Sequence, residues 1–326
     1  MEYHQPKGCD FSISRITLGT WAIGGWMWGG NDEKDSVQAV LKALDEGIST
    51  IDTAPVYGFG KSEELVGKAI QEFGNRDKVI LATKCGLEWT EKGKVFRNSS
   101  RERVKKEAED SLKRLKTDYH DILQIHWPDH NTDFRETAAA MKELLKEGKI
   151  RSIGVSNFSP EQMDTFREEA PIHFSQPPYN LFEREIEEDL FPYCKEKEIS
   201  LLTYGALCRG LLTGKMSEDS TFEGDDLRKK DPKFQGERFK QYLKAVNALD
   251  DYARQNHGKN VLALAARWIL DVGVESAIWG ARRPDQVKGQ EIMGWQLSEK
   301  DLENIDQIIR DNVKDPVGPE FMAPPA

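Results

Sequence analysis

Cysteine is scarce in this chain of 326 residues, and its distribution excludes more than its number does. The four thiols, Cys9, Cys85, Cys194 and Cys208, form no C-x-x-C pair and keep no regular spacing, which argues against a disulfide framework or a thiolate-held zinc site. Free thiols are the expected state. Long hydrophobic runs are also missing. None approaches the roughly 20 apolar residues that a bilayer-spanning helix needs, so no membrane association is expected. The opening residues, Met-Glu-Tyr-His-Gln-Pro-Lys, hold no basic stretch followed by an apolar core, and a cytoplasmic protein is the expectation. Positive charge is in deficit. With 46 Lys and Arg against 56 Asp and Glu, the formal net charge is -10. That balance opposes broad nucleic-acid binding, which needs a basic face to neutralise phosphates. A phosphorylated ligand would have to be held by local cations.

What is present is ordinary globular composition, 38% hydrophobic and 31% charged. The length permits one large barrel or two smaller domains. Short apolar runs alternate with longer amphipathic segments, the pattern of strands followed by crossover helices. Candidate strands are Ile16 to Gly19, Thr50 to Asp52, Val79 to Lys84, Ile122 to His126, Ser152 to Ser156, Phe174 to Gln176, Ser200 to Tyr204 and Ser276 to Gly280. Their number is that of a single-domain α/β fold, the (β/α)8 TIM barrel. A helix over Asp32 to Glu46 would place Val37, Val40, Leu41 and Leu44 on one face, with Gly47 where it stops. A second, over Lys61 to Ile70, has Ser62 as its expected N-cap, and Ser159-Pro160-Glu161 reads as the start of a third. Two stretches break the alternation. Ser217 to Phe239 is a long, charged, Gly- and Pro-containing loop that could act as a lid. The tail from Lys314 to Ala326, with Pro316, Pro319, Pro324 and Pro325, is expected to be non-helical, and either disordered or packed over the barrel mouth.

Seven of the expected strands end in, or just before, a polar residue or glycine: Asp52, Lys84, His126, Ser156 with Asn157, Gln176, Tyr204 and Gly280. Parallel barrels build their sites on that face, although strand ends are also polar simply because loops begin there. A lysine leaving a buried strand needs a counter-charge, and Asp52 on the neighbouring strand can supply one to Lys84. Tyr57 follows in Asp-Thr-Ala-Pro-Val-Tyr-Gly, where Pro55 and Gly58 shape a turn over the barrel axis. Beside Lys84 its phenol is expected to be pulled toward a lower pKa, which suits a general acid. His126 lies in Gln-Ile-His-Trp-Pro-Asp-His. A metal site from His126, Asp129 and His130 is the rival reading, but Trp127-Pro128 prevents the helix on which that spacing would work, and no metal is expected. Neither a P-loop nor a Rossmann G-x-G-x-x-G is present: the glycine that should precede Gly60-Lys61-Ser62 falls at Pro55. Phosphate contacts are expected instead from Leu207 to Lys215 and Gly280 to Pro284, where cations and glycines follow two strands.

At these residues the chain resembles the aldo-keto reductase superfamily, closely the bacterial stress-associated reductases and more distantly the potassium-channel β-subunits. The resemblance rests on Gly19-Thr20-Trp21, Asp52-Thr53-Ala54-Pro55-Val56-Tyr57-Gly58, Ala82-Thr83-Lys84, Ile125-His126-Trp127-Pro128, Gly154-Val155-Ser156-Asn157-Phe158 and Gln176-Pro177-Pro178-Tyr179-Asn180. It implies a catalytic tetrad of Asp52, Tyr57, Lys84 and His126. It further implies that Ser156, Asn157 and Gln176 hold a nicotinamide carboxamide and that Tyr204 stacks on the ring. Gly205, Leu207, Cys208, Arg209, Gly210 and Lys215 would line the pyrophosphate, and Gly280, Arg282, Gln286 and Gln290 the adenosine phosphate. Gly19, Thr20 and Trp21 are further expected cofactor contacts, as is Asp52. The second motif departs from the family at Gly289-Gln290, where many members have Glu-Asn. Arg282 or Arg283 favours NADPH over NADH, because a 2′-phosphate suits a planar guanidinium.

The expected chemistry is NADPH-dependent reduction of aldehydes or ketones by direct hydride transfer, with Tyr57 protonating the developing alkoxide. The alternative is an NADPH-binding redox sensor with little turnover. Trp21, Trp28, Trp89 and Trp127 are candidate walls for a small carbonyl substrate. A closed barrel has no sheet edge to pair, so a monomer is expected.

Overall fold

In the computed structural model residues 1–325 are described; Ala326 and the side chain of Gln290 lie outside the described residues, and the adenine contact expected at Gln290 falls there. The chain opens with a short antiparallel pair, β1 (Tyr3–His4) and β2 (Ile13–Ser14). Strands β3 (Ile16–Gly19), β4 (Thr50–Asp52) and β5 (Ile80–Cys85) are then separated by α1 (Glu33–Asp45) and α2 (Lys61–Phe73). A hairpin of β6 (Leu87–Trp89) and β7 (Val95–Arg97) precedes α3 (Arg101–Leu115). Next come β8 (Ile122–Ile125), α4 (Phe134–Lys146), β9 (Ile153–Ser156), α5 (Pro160–Arg167), β10 (Phe174–Gln176), α6 (Leu190–Lys197) and β11 (Ser200–Thr203). The last part holds α7 (Gly236–His257), α8 (Val261–Asp271), β12 (Ser276–Gly280) and α9 (Glu299–Asn312).

Strands β3, β4, β5, β8, β9, β10, β11 and β12 pair in parallel, in that order, and β12 returns to β3 to close the barrel. This is the expected (β/α)8 architecture, with strand bounds that differ by a residue: β5 runs on to Cys85, and His126 and Tyr204 stand just past their strands. The alternation of side chains along each strand separates two cores. Ile16, Leu18, Ile51, Leu81, Leu123, Ile153, Val155, Ala277 and Trp279 face the helices, while Ile80, Ala82, Ile122, Phe174, Leu202 and Ile278 face the axis. Phe11 and Ile13 join the axial cluster and plug the end where the strands begin. One pleat further along, the inward positions turn polar: Asp52, Lys84, Gln124, Ser156 and Gln176. The site therefore sits on an apolar floor.

Local chemistry explains the helix starts. Asp32 caps α1 by accepting from the Asp35 N–H, and Val37, Val40 and Leu44 are buried beneath it while Leu41 is half-buried. Ser159 and Gln162 form a capping box with Pro160 in the first turn of α5. The expected N-cap at Ser62 needs correction. Gly60, at φ 99°, is the residue before α2, and the Ser62 hydroxyl instead bonds Thr20 and Thr53 in the buried seam behind the site.

The long loop is shorter than expected, because residues 236–239 already belong to α7. Its Asp225 carboxylate accepts from the N–H groups of Met27 and Gly29 at 2.7 and 3.1 Å, and the Leu227 N–H donates to the Met27 carbonyl at 3.0 Å, so the loop lies docked on the turns after β3. The tail packs. The Val317 N–H donates to the Tyr242 hydroxyl at 3.3 Å, Lys233 Nζ to the Gly318 carbonyl at 2.9 Å and Arg97 to the Pro324 carbonyl at 2.9 Å. Against expectation it also holds a 3-10 turn, Glu320–Met322, which fits between prolines because each flanks the turn without interrupting its hydrogen bonds. Among the described residues no helix is long and apolar enough to cross a membrane.

Candidate active site

Asp52 ends β4, and Lys84 lies across the adjoining β5, both pointing to the axis and left only 3% and 1% exposed. Lys84 Nζ donates to Asp52 Oδ2 at 2.6 Å, to the Thr53 carbonyl at 3.0 Å and to the Tyr57 hydroxyl at 3.3 Å. The turn that presents Tyr57 is held by its own N–H on the Ala54 carbonyl and by Gly60 on Pro55. Gly58, at φ 66°, lets this turn press on Gly24; a Cβ there would collide with the Gly24 carbonyl. Trp21 stacks on the Tyr57 ring at 5.9 Å and His126 meets it edge-on at 5.7 Å. These four expected tetrad residues thus converge on one phenol.

Electrostatics at the phenol depart from expectation. Burial, reinforced by the Asp52 carboxylate, pushes the Tyr57 pKa well above the ordinary value, whereas Lys84 was expected to pull it down. The physical reason is that Asp52 already balances the lysine charge, so desolvation of the phenolate dominates. Tyr57 is consequently a protonated donor at neutral pH. Burial lowers the Lys84 pKa, against which Asp52 acts. Burial and the Lys84 charge also hold His126 well below the usual histidine range, so its imidazole is neutral at neutral pH.

A ring of amides and hydroxyls adjoins this group. Gln176 Nε2 donates to Asp52 Oδ1 at 2.8 Å, and Gln124 Nε2 approaches the same oxygen at 3.4 Å. Gln124 was not among the expected site residues, although its place in the alternation of Leu123-Gln124-Ile125-His126 points it inward. The Ser156 hydroxyl donates to the Gln176 carbonyl at 2.7 Å. Asn157, at φ 62°, donates to the His126 carbonyl and to Ser156 Oγ, both at 3.0 Å, and accepts from the Tyr204 hydroxyl at 2.9 Å. Thr20 bonds the Asp52 carbonyl through its hydroxyl at 2.9 Å, which brings Gly19, Thr20 and Trp21 to the same rim.

The expected phosphate cations divide. The Arg209 guanidinium is buried, paired with Glu183 at 2.6 Å and with Asp231 at 2.5 Å, and lies under the Phe321 ring. Lys215 is exposed, and Gly205 and Gly210, both at positive φ, shape the turns around Leu207 and Cys208. Arg283 pairs with Asp285, whereas Arg282 donates only to the Trp28 and Gly30 carbonyls and makes no ion pair among the described residues. Gln286 accepts from the N–H groups of Arg282 and Arg283, and Gly280 borders open space. Arg228 of the long loop is close enough to Arg282, as is Arg283, to depress its pKa after burial has done so.

Aromatic residues wall the mouth. Trp26, Tyr57, Trp89 and Trp127 pack against Ala54, Val56 and Leu87, and Trp28 meets Trp21 edge-on at 5.7 Å. The rival metal ligands do not converge: the Asp129 carboxylate accepts from the Ser99 and Asn131 N–H groups and the Thr132 hydroxyl, and His130 is exposed.

Comparison with known proteins agrees with this geometry. The model of the Aldo/keto reductase family matches residues 15–310. The chain belongs to the aldo-keto reductase family. It is 60% identical to aldo-keto reductase YhdN of Bacillus subtilis over 100% of this chain and 98% of that one. It is 37% identical to the NADH-specific methylglyoxal reductase of Escherichia coli, over 86% and 89% of the two chains. The structure of glycerol dehydrogenase AKR11B4 from Gluconobacter oxydans matches with a TM-score of 0.89 and 52% identity, covering 98% of this chain and 99% of that one. As an aldo-keto reductase the protein is an oxidoreductase of a family that binds nicotinamide cofactors and whose substrates are small carbonyl compounds.

Proposed function

We propose that this aldo-keto reductase reduces aldehydes, and ketones of similar size, to alcohols with NADPH. The observation that carries this reading is the Tyr57 hydroxyl held 3.3 Å from Lys84 Nζ, whose charge is balanced by Asp52 at 2.6 Å, in an aromatic-walled barrel mouth. When bound, NADPH supplies a hydride to the substrate carbonyl carbon. As negative charge grows on the carbonyl oxygen, Tyr57 donates its phenolic proton to it, and Lys84 stabilises the phenolate left behind. Asp52 fixes Lys84 in place, and Gln176 and Gln124 fix Asp52. The neutral His126 donates an N–H to the carbonyl oxygen and orients it. Each of these contacts strengthens as charge develops, so it lowers the barrier more than it tightens substrate binding.

The residues present fit such a cofactor. Ser156, Asn157 and Gln176 offer amides and hydroxyls to the carboxamide, and Tyr204 a ring to the nicotinamide. Gly205, Leu207, Cys208, Gly210 and Lys215 would meet the pyrophosphate, and Gly280, Arg282 and Gln286 the adenosine phosphate. The cluster of Arg228, Arg282 and Arg283, in which Arg282 makes no ion pair among the described residues, supports a 2′-phosphate and hence NADPH. Action as a monomer in the cytoplasm is supported by the closed barrel, by free thiols at all four cysteines and by the absence of large exposed hydrophobics other than Tyr3 and Phe59 among the described residues.

The test is consumption of NADPH by purified protein with a panel of short aldehydes. Tyr57→Phe should keep its NADPH affinity and lose roughly 100-fold or more in kcat, as removal of a general acid does. Arg282→Gln should raise KM for NADPH by about tenfold while leaving NADH unchanged, because one charge-assisted contact is lost. Unchanged turnover in Tyr57→Phe would overturn the acid role. Tight NADPH binding with no turnover in the parent protein would favour a redox sensor instead.

A further inference from the structure

The β6–β7 hairpin brings to the barrel mouth a cation that the mechanism above does not use. Arg97 ends β7 and stands opposite Leu87, which packs with Ala54 and Val56 in the cluster that also holds Tyr57 and Trp127. Its guanidinium lies over the Trp127 ring at 5.3 Å, next in sequence to His126. Two backbone carbonyls hold it there: one terminal nitrogen donates to Pro128 at 2.8 Å and the other to Pro324 at 2.9 Å. Nε is buried with no acceptor.

No carboxylate pairs with this arginine among the described residues. Asp129 is the acid whose field reaches it, but that carboxylate forms no ion pair with the guanidinium and accepts instead from the Ser99 and Asn131 N–H groups and the Thr132 hydroxyl. Arginines elsewhere in the fold are paired with carboxylates, Arg114 with Glu63 and Arg209 with Glu183 and Asp231. Carbonyl oxygens satisfy two of five N–H groups without neutralising the charge. A guanidinium half-withdrawn from water, with neutral carbonyl oxygens as its hydrogen-bond partners among the described residues, gains from an anion that approaches it, and its planar fork matches a carboxylate or a phosphate.

We propose that Arg97 is a specificity-determining residue that receives an anionic group on the substrate, so that aldehydes bearing a carboxylate or phosphate are the preferred class. This rests on the reductase reading. Tyr57 and His126 place the carbonyl and Arg97 the anion, so the two groups belong to different ends of the substrate.

The experiment compares kcat/KM for succinic semialdehyde against butanal, and for glyceraldehyde 3-phosphate against glyceraldehyde, in the parent protein, Arg97→Gln and Arg97→Lys. The parent should prefer the charged member of at least one pair by about tenfold or more, and the pair affected identifies carboxylate or phosphate. Arg97→Gln should abolish that preference through KM and leave the neutral member within about threefold, while Arg97→Lys retains part of it as a point charge. In the parent protein, which needs no variant to fold, KM for the charged member should rise with salt and KM for the neutral member should not. Equal losses on both members in Arg97→Gln would make the arginine a staple for the tail and overturn the proposal. So would a parent protein without charge preference. Turnover of butanal without that preference defeats this inference alone, whereas no turnover of any aldehyde defeats the reductase reading and this inference with it.

Discussion

Glu107 is buried at 3% exposure behind the site, where it accepts from the Gly86 N–H at 2.8 Å and from Arg103 at 3.0 Å. Burial pushes its pKa up to about 7, despite the opposing pull of Arg103. The folded protein therefore holds this proton over a range in which the unfolded chain has released it. Its contribution to stability is complete below the unfolded value near 4.5 and is lost as pH rises through about 7. The amount is roughly 3 kcal/mol by linkage, to order of magnitude. Denaturant midpoints measured from pH 4 to 9 (about the range of the two pKa values) should fall more steeply for the parent than for Glu107→Gln; parallel profiles would refute the assignment. At this scale the sequence was legible where a residue's neighbours in the chain decide its position, as for Tyr57 in its turn. Glu107, Glu63 and Gln124 were not legible, because their partners come from other elements.

Whole elements were readable from capping and periodicity, with errors where a loop and a distant seam compete for the same side chain. Ser62 had the chemistry of an N-cap, yet Thr20 and Thr53 hold its hydroxyl and Gly60 takes the turn. The same helix shows how close packing limits substitution. A Cβ on Gly67 would stand 2.6 Å from the Arg114 carbonyl oxygen and 2.9 Å from Leu115, both backbone at the end of α3. Alanine would gain about 1 kcal/mol in helix propensity, but backbone cannot yield as a flexible side chain does, and overpacking costs about 1–3 kcal/mol or more. Gly67→Ala is therefore expected to lower stability by about 1–2 kcal/mol, read as a shift in the urea midpoint. A stabilised variant would mean that α2 and α3 can slide apart.

Across the whole molecule, one buried carboxylate joins four distant segments. Glu183 accepts from Arg209, Lys233 and Asn180 at 2.6, 2.8 and 2.6 Å; Arg209 also binds Asp231, and Lys233 also binds the Gly318 carbonyl of the tail. The long loop, the turn after β11 and the tail thus depend on one ion cluster. Glu183→Gln leaves buried cations under-compensated and should cost about 3 kcal/mol or more in stability. Limited proteolysis should then cut residues 217–235 faster than in the parent, and an unchanged cleavage rate would show that the loop is held by Asp225 alone. The sequence by itself determined the barrel, because alternating strand and helix periods leave few other ways to bury their apolar faces. It determined the convergence of Asp52, Tyr57, Lys84 and His126 as well, since residues ending parallel strands share one face. Only the tertiary structure decided how the cations there are paired: Arg209 lies between Glu183 and Asp231, whereas Arg97 makes no ion pair among the described residues. The carboxylates that pair with Arg209 lie 26 and 22 residues away in the chain, at Glu183 and Asp231, and no local pattern encodes that pairing.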